Sequence, residues 1–306
     1  MSISEASREA AAIAARIGQV VLGKSEQVRL AVACLLARGH LLIEDVPGVG
    51  KTTLAHALAD SCGLQWRRMQ FTSDLLPGDL LGVSIWDAAS ASFSFRPGPV
   101  FSEVLLADEI NRAPPKSQSA LLEAMEERRV SVDGHTHTLP ELFFVIATQN
   151  PTHHAGTFDL PESQLDRFLM RLALGYPPED AEVALLCGEG GRTVPVKPVI
   201  DRTTLVRLQT ICANIYVSEP VARYVRRLLA TTREHAQIEL GLSPRAGLAL
   251  LAAARAIALI EGRDFVVHED VQTAWEPVVA HRLTGRDGRP LPAGVLGQLL
   301  RGTALD

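Results

Sequence analysis

A glycine-containing segment at 45–53 lies between a short apolar run at 40–44 and a helical pattern at 52–60. An apolar run of this length beside glycine is typical of a buried parallel strand. The order of strand, glycine loop and helix favours a phosphate-binding loop, because glycines let backbone amides converge on phosphate oxygens and a helix N-terminus attracts anions. The residues predicted to contact phosphates are Pro47, Gly48, Val49, Gly50, Lys51, Thr52 and Thr53. Asp45 stands where the full motif begins with glycine, so the match is incomplete.

A second apolar run, at 103–108, ends in the acidic pair Asp108 and Glu109. Asp108 is predicted to hold Mg²⁺ together with the Thr52 hydroxyl, because this cation prefers hard oxygen ligands. Glu109 is predicted to orient and deprotonate a water molecule that attacks the γ-phosphate. Lys51 would supply a mobile positive charge to the β- and γ-phosphates. A third apolar run, at 142–147, is followed by Asn150, whose amide could position the same water.

Helical patterns separate these runs, and such alternation predicts a parallel sheet covered by helices on both faces. An Asp-Gly pair at the centre of 130–136 predicts a hairpin, and 72–98 looks like a second insertion without a defined conformation. From 201 onward the pattern is purely helical. We therefore expect an α/β nucleotide-binding core at 1–185, a linker at 186–200 and an all-α domain at 201–306.

Three arginines are candidates for contact with an anion. Arg167, on a short helix after the third strand, could be an arginine finger that acts on a neighbouring subunit, or could form an ordinary ion pair with Glu162 or Asp166. Arg171 is a rival for the same role. Arg245 follows an N-cap serine and a proline, where a cation opposes the helix dipole, so it could reach an anion across the crevice between the two domains or lie in solvent.

The charge of −5 and pI of 6.0 argue against a general nucleic-acid or membrane binder. The four cysteines form no short pair, and 1–20 lacks a signal-like pattern, so we expect a cytoplasmic location without membrane insertion. The pairs His135 with His137 and His153 with His154 lack carboxylates or cysteines at a spacing that would favour a metal site.

The motifs together resemble those of the MoxR family of AAA+ ATPases, over residues 17–283. The segments that carry the resemblance are 39–52, 71–77, 98–101, 107–113, 147–151, 160–168 and 242–246. The resemblance implies an AAA+ P-loop core with hairpin insertions, followed by a small all-α lid domain. The implied roles are Walker A for Lys51 and Thr52, Walker B for Asp108 and Glu109, sensor 1 for Asn150, a trans arginine finger for Arg167 and sensor 2 for Arg245.

The resemblance further implies ATP and Mg²⁺ as cofactors, a homo-oligomeric ring that is usually a hexamer, and chaperone-like action on a partner protein. The usual partner is a separate protein with a von Willebrand A domain, and the usual task is maturation of another complex or insertion of a metal or cofactor into it. Two other functions stay open: a nucleotide-gated scaffold with little hydrolysis, and a motor stimulated by nucleic acid. Glu109 argues against the scaffold, and the acidic charge argues against the motor.

Overall fold

The computed structural model describes residues 1–88, 91–150, 157–189, 196–292 and 294–305. The strands in chain order are β1 Leu41–Glu44, β2 Trp66–Gln70, β3 Gly82–Asp87, β4 Ser92–Pro97, β5 Val104–Asp108, β6 Arg129–Val132, β7 His135–Thr138, β8 Phe144–Gln149 and β9 Met170–Leu172. The helices are α1 Ile3–Gly18, α2 Ser25–Leu36, α3 Lys51–Ser61, α4 Pro77–Leu81, α5 Pro115–Glu127, α6 Glu162–Leu165, α7 Glu179–Leu186, α8 Arg202–Ala213, α9 Glu219–Glu234, α10 Pro244–Ile260, α11 His268–Val279 and α12 Val295–Gly302.

The core is a five-stranded parallel sheet in the order β2-β5-β8-β1-β9. Its three central strands are those expected from the apolar runs, which confirms the α/β prediction. The edge strands β2 and β9 were not expected. β2 carries Arg67 and Arg68 on a largely exposed edge, and β9 has only three residues, so neither gives the continuous apolar signal of a buried strand.

Alternate residues of the central strands enter two apolar clusters on opposite faces of the sheet. Leu41 and Ile43 of β1 pack in the cluster that contains α1, α2 and α3, whereas Leu42 packs in the cluster that contains α5. This period of two is what a strand buried on both faces requires. α1 begins at Ile3, where Ser2 and Glu5 form a reciprocal capping box.

The expected hairpin is β6–β7, and its turn residues Asp133 and Gly134 have φ of 50° and 78°. Two positive φ values are the mark of the tight turn that Asp-Gly favours. The insertion at 72–98 contains α4 and a second hairpin, β3–β4, with residues 89 and 90 outside the described part. The rings of Phe95 and His137 stack at 3.9 Å and so join the two hairpins.

The C-terminal helices α8–α12 form the expected lid, but they do not have a separate core. α10 packs on α1 and α2, and one apolar cluster runs from these N-terminal helices into α8, α9, α10 and α11. The expected boundaries at 185 and 200 stay a prediction, and 190–195 of that linker lie outside the described residues. None of the described helices is long and apolar enough to cross a membrane.

Candidate active site

The loop at 45–50 leads from β1 directly into α3 and has the backbone of a phosphate-binding cradle. Gly48 and Gly50 have φ of 90° and 98°, in the left-handed region where a side chain is strained. Among the described residues, no heavy atom beyond the chain neighbours lies within 4 Å of the position that a Cβ would take at either glycine. The two glycines thus present bare backbone where phosphate oxygens could approach.

Asp45, which stands where the full motif has its first glycine, stabilises this loop through its side chain. Its Oδ1 accepts a hydrogen bond from the amide of Val46 at 2.7 Å, and its Oδ2 accepts one from the amide of Gly175 at 2.5 Å. Gly175 has φ of 62° and belongs to the turn that precedes α7. The buried carboxylate therefore anchors the loop to a distant turn, which explains how the loop holds its shape without the first glycine.

Lys51, predicted to contact the phosphates, and Asn150, predicted to position the attacking water, are in direct contact. The Lys51 ammonium donates to Asn150 Oδ1 at 2.8 Å, to the Gln149 carbonyl at 3.4 Å and to the Asp45 carbonyl. Burial lowers the pKa of Lys51, and the carboxylates of Asp45 and Asp108 oppose that shift. The ammonium is thus held at the carboxyl ends of β1 and β8 by oxygens of the kind that a phosphate group would offer.

Thr148 joins the two acidic residues at the end of β5. Its hydroxyl donates to Asp108 Oδ1 at 2.7 Å and accepts from the backbone amide of Glu109 at 3.0 Å. Glu109 has φ of 55° and ψ of 50°, a left-handed conformation that is unfavourable for a non-glycine residue. The hydrogen bond that the Glu109 amide donates to the Thr148 hydroxyl stabilises this conformation. Sequence reasoning missed Thr148, although it lies two residues before Asn150 in the same motif.

Both carboxylates are also paired with arginines that the sequence did not single out. Arg68 Nε on β2 donates to Asp108 Oδ2 at 2.7 Å, and Arg112 donates to Glu109 Oε2 at 2.7 Å. Asp108 is buried, whereas the Arg68 and Arg112 side chains are exposed over 44% and 60% of their surface. These arginines neutralise the acidic pair and can move away from it, because neither is enclosed by protein.

Arg171 lies on β9 and faces the crevice between core and lid of its own chain. It donates to Glu44 Oε2 at 2.8 Å, and both residues line a cavity of 490 Å³ together with Asn150 and lid residues such as Arg289. An arginine in this position is directed toward the phosphate loop side of its own subunit. The choice between Arg167 and Arg171 as an arginine finger stays a prediction.

Arg167 and Arg245 lie together at the opposite edge of the sheet. Both contact Glu126, and they line one cavity with His40, the residue before β1. The length of β1 alone, roughly 13 Å at about 3.3 Å per residue, separates this edge from the phosphate loop. Arg245 therefore lies away from the phosphate loop of its own chain, because α10 packs against the N-terminal helices and carries Arg245 to the far edge. Its expected contact with an anion stays a prediction.

The donor set fits Mg²⁺ bound with a nucleotide. Thr52, at the start of α3, and Asp108, at the end of β5, supply a hydroxyl and a carboxylate, the hard oxygens that Mg²⁺ takes alongside phosphate oxygens. Within the described residues, no three His, Cys, Asp or Glu side chains form a group that could hold a metal ion by themselves. His153 and His154 lie outside the described residues.

Comparison with known proteins agrees with this geometry. Residues 40–170 match the model of the ATPase family associated with various cellular activities (AAA), and 230–295 match the AAA lid domain. The crystal structure of a protein from Cytophaga hutchinsonii superposes with a TM-score of 0.89 at 31% identity, over 98% of this chain and 96% of that one. The fold is therefore that of an AAA core followed by a helical lid.

Relatives of known sequence extend over most of the chain. The uncharacterized protein YeaC of Bacillus subtilis is 47% identical over 269 residues, 87% of this chain and 84% of its own length. The chaperone MoxR1 of Mycobacterium tuberculosis is 41% identical, over 87% of this chain and 73% of its own length. The protein MoxR of Paracoccus denitrificans is 34% identical, over 88% and 86%. On these similarities, which cover both the core and the lid, the chain belongs to the MoxR family of AAA ATPases.

Proposed function

We propose that this chain hydrolyses ATP with Mg²⁺ in a site that a second copy of the chain completes, within a homo-oligomeric ring. The observation that carries the proposal is the separation of the arginines from the phosphate loop. Lys51, Asp108, Glu109 and Asn150 gather at the carboxyl ends of adjacent strands, whereas Arg167 lies at the opposite edge. A site from which Arg167 of the same subunit is absent would receive this arginine only where two subunits meet.

The residues of one subunit would bind the nucleotide and activate water. Backbone amides at 48–52 and the Lys51 ammonium hold the phosphates, and the Thr52 hydroxyl and Asp108 carboxylate hold Mg²⁺, which supplies charge neutralisation to the β- and γ-phosphates. Glu109 accepts a proton from the attacking water after Arg112 has moved away from it. Asn150 keeps that water in line by its amide.

The neighbouring subunit would contribute Arg167 as the finger and Arg245 as a second cation. Both side chains contact the same carboxylate and would therefore approach the same phosphate group. An arginine finger in trans adds roughly 10³–10⁵ in rate. Hydrolysis would thus depend on assembly, and a hexamer is the ring size that we propose.

The biological task that we propose is remodelling of a separate partner protein. MoxR1, at 41% identity, is named a chaperone. By family resemblance, the partner would carry a von Willebrand A domain, and the outcome would be maturation of a complex or insertion of a metal or cofactor. The four cysteines are free thiols, which is compatible with the cytoplasmic location that we propose.

The test is ATP turnover measured against protein concentration, for wild type and for Arg167→Ala. We expect specific activity that rises with concentration and that falls by about 10³-fold or more in the variant, while ATP binding persists. Arg171→Ala serves as the matched control for removal of an arginine close to the nucleotide of its own chain. Turnover that is independent of both concentration and Arg167 would contradict the shared site.

Glu109→Gln separates hydrolysis from a scaffold role. We expect the variant to bind ATP and to retain it, because the phosphate loop is intact and the base is lost. Single-turnover measurements with labelled ATP would show this. Unchanged turnover would argue for a different base, and turnover that rises with DNA and falls steeply with salt would favour the nucleic-acid motor instead.

A further inference from the structure

Five arginines and two carboxylates surround a cavity of 260 Å³ at the edge of the sheet opposite the phosphate loop. The basic residues are Arg38, Arg128, Arg167, Arg245 and Arg282, and the acidic ones are Glu126 and Asp166. The excess of three positive charges makes this cavity, called here the arginine recess, suited to a polyanion. The arginines of the recess therefore favour a ligand with phosphate groups over a neutral ligand.

Two of the five arginines, Arg167 and Arg245, form ion pairs with the same carboxylate. Glu126, in the last turn of α5, accepts a hydrogen bond from Arg167 Nε at 2.8 Å on Oε2 and one from Arg245 at 3.0 Å on Oε1. Each carboxylate oxygen thus serves one arginine. Hydrogen bonding from Arg245 is the main reason why the pKa of Glu126 lies below its ordinary value, so this residue stays ionised at neutral pH.

Two other arginines of the recess are fixed to the fold by backbone carbonyls. Arg128 donates to the Phe143 carbonyl at 3.1 Å and to the Arg38 carbonyl at 3.0 Å. Arg282 donates to the Phe168 carbonyl at 2.8 Å, and only 5% of its side chain is exposed. The guanidinium groups of Arg128 and Arg282 are therefore held in fixed positions on one side of the recess.

Arg167 and Arg245 are held less firmly than Arg128 and Arg282. Their side chains are 27% and 57% exposed. Apart from Glu126, Arg167 contacts the Ser163 carbonyl at 3.0 Å, and Arg245 lies 3.6 Å from Asp166. Ion pairs at such exposure are individually weak, so a triphosphate that carries several negative charges can compete with one carboxylate for both arginines.

We propose that Glu126 is a counter-ion clamp that holds Arg167 and Arg245 in the free chain, and that the ATP phosphates of a neighbouring copy displace it when subunits assemble. The inference rests on the proposed function, since it takes the occupant of the arginine recess to be a nucleotide bound to a second copy of this chain. Glu126 is then a positioning residue that restrains assembly until ATP is present on the neighbour.

The experiment compares Glu126→Gln with Glu127→Gln, both placed in a Glu109→Gln background so that bound ATP is retained. Glu127 is the matched control, because it is the adjacent residue on α5 and its carboxylate pairs with Arg129 instead. Sedimentation velocity over a protein concentration series, with and without ATP, gives the concentration of half-assembly. We expect Glu126→Gln to lower that concentration about fivefold in ATP, because assembly of this variant no longer has to break two weak ion pairs. Glu127→Gln should leave the concentration of half-assembly unchanged.

A second arm repeats Glu126→Gln together with Arg167→Ala and Arg245→Ala. The gain in assembly should disappear there, because the clamp acts only through those two side chains. A Glu126→Gln variant that assembles like Glu127→Gln, or less readily than the background, would overturn the clamp while leaving the shared site intact. Absence of ATP-driven assembly in the background protein, or assembly indifferent to Arg167→Ala alone, would instead overturn the proposed function and the clamp with it.

Discussion

At the scale of single residues, the site depends on polar contacts that cross from one strand to the next. Thr148 on β8 is fully buried and bonds both to the Asp108 carboxylate and to the amide of Glu109. The identities of Lys51, Asp108, Glu109 and Asn150 were predictable, because each stands in a local string with a fixed relation to a strand end. Thr148 was not, because its partners come from another strand and a buried threonine gives no separate signal.

Replacement of Thr148 by valine keeps the side-chain volume but removes both hydrogen bonds. We expect kcat to fall by roughly 10–100-fold, as is usual when a residue that orients a metal ligand or its neighbour is lost, with a weaker response to Mg²⁺ and little change in ATP affinity. Steady-state turnover across a Mg²⁺ titration measures both effects.

Thr148→Ser is the matched control, since it retains the hydroxyl and should keep most of the activity. Equal losses in the serine and valine variants would indicate that the packing of the methyl group, and not the hydrogen bonds, holds the acidic pair.

At the scale of elements, His40 ties the start of β1 to the neighbouring structure. Its Nδ1 accepts from the amide of Val145 on β8 at 3.0 Å, and its Nε2 lies 3.4 Å from the Met125 carbonyl at the end of α5. Burial, with a smaller contribution from Arg128, lowers the pKa of His40 from 6.5 to about 3. The residue is therefore neutral in the folded chain throughout the physiological range.

This shift predicts a loss of stability in acid. Below about pH 6.5 the unfolded chain takes up a proton at this position, whereas the folded chain does not until about pH 3. The free energy of unfolding should therefore fall with decreasing pH between these limits, by up to about 1.4 kcal/mol per pH unit from His40. Urea unfolding at pH 7, 6 and 5 measures the slope.

His40→Gln should flatten that slope, and His135→Gln, at the exposed start of β7, should not. Identical slopes in wild type and His40→Gln would mean that other groups cause the acid sensitivity.

At the scale of the whole molecule, lid and core are joined by Arg282. Its guanidinium donates to Asp166 Oδ1 at 2.7 Å and to the carbonyls of Phe168 at 2.8 Å and Leu169 at 3.3 Å, all at the entrance to β9. Burial lowers the pKa of Arg282, and the hydrogen bond to Asp166 opposes the shift. With the apolar cluster shared by α1, α2 and α10, this contact fixes the lid against the sheet edge.

Arg282→Lys should destabilise the protein by about 2–4 kcal/mol, because an ammonium cannot reach several buried acceptors at once and leaves some without a donor. Thermal unfolding monitored by calorimetry measures the change. An unfolding curve with two transitions in place of one would show that the lid and the core unfold separately. Arg223→Lys, an exposed i,i+4 partner of Glu219, is the control and should change stability by about 0.5 kcal/mol or less. Equal effects of the two changes would contradict the joining role.

Local patterns in the sequence were enough to predict the strand-loop-helix units, the hairpin at Asp133-Gly134 and the glycine loop that leads into α3, because each depends on local periodicity or on neighbours in the chain. The positions of the arginines, in contrast, follow from the packing of distant segments. Arg171 and Arg167 are four positions apart, yet they point to opposite edges, and Arg245 reaches Glu126 only because α10 packs against α1 and α2. The physical reason is that an ion pair between distant segments depends on how helices dock on the sheet, and docking is set by the summed burial of many apolar side chains rather than by any local pattern.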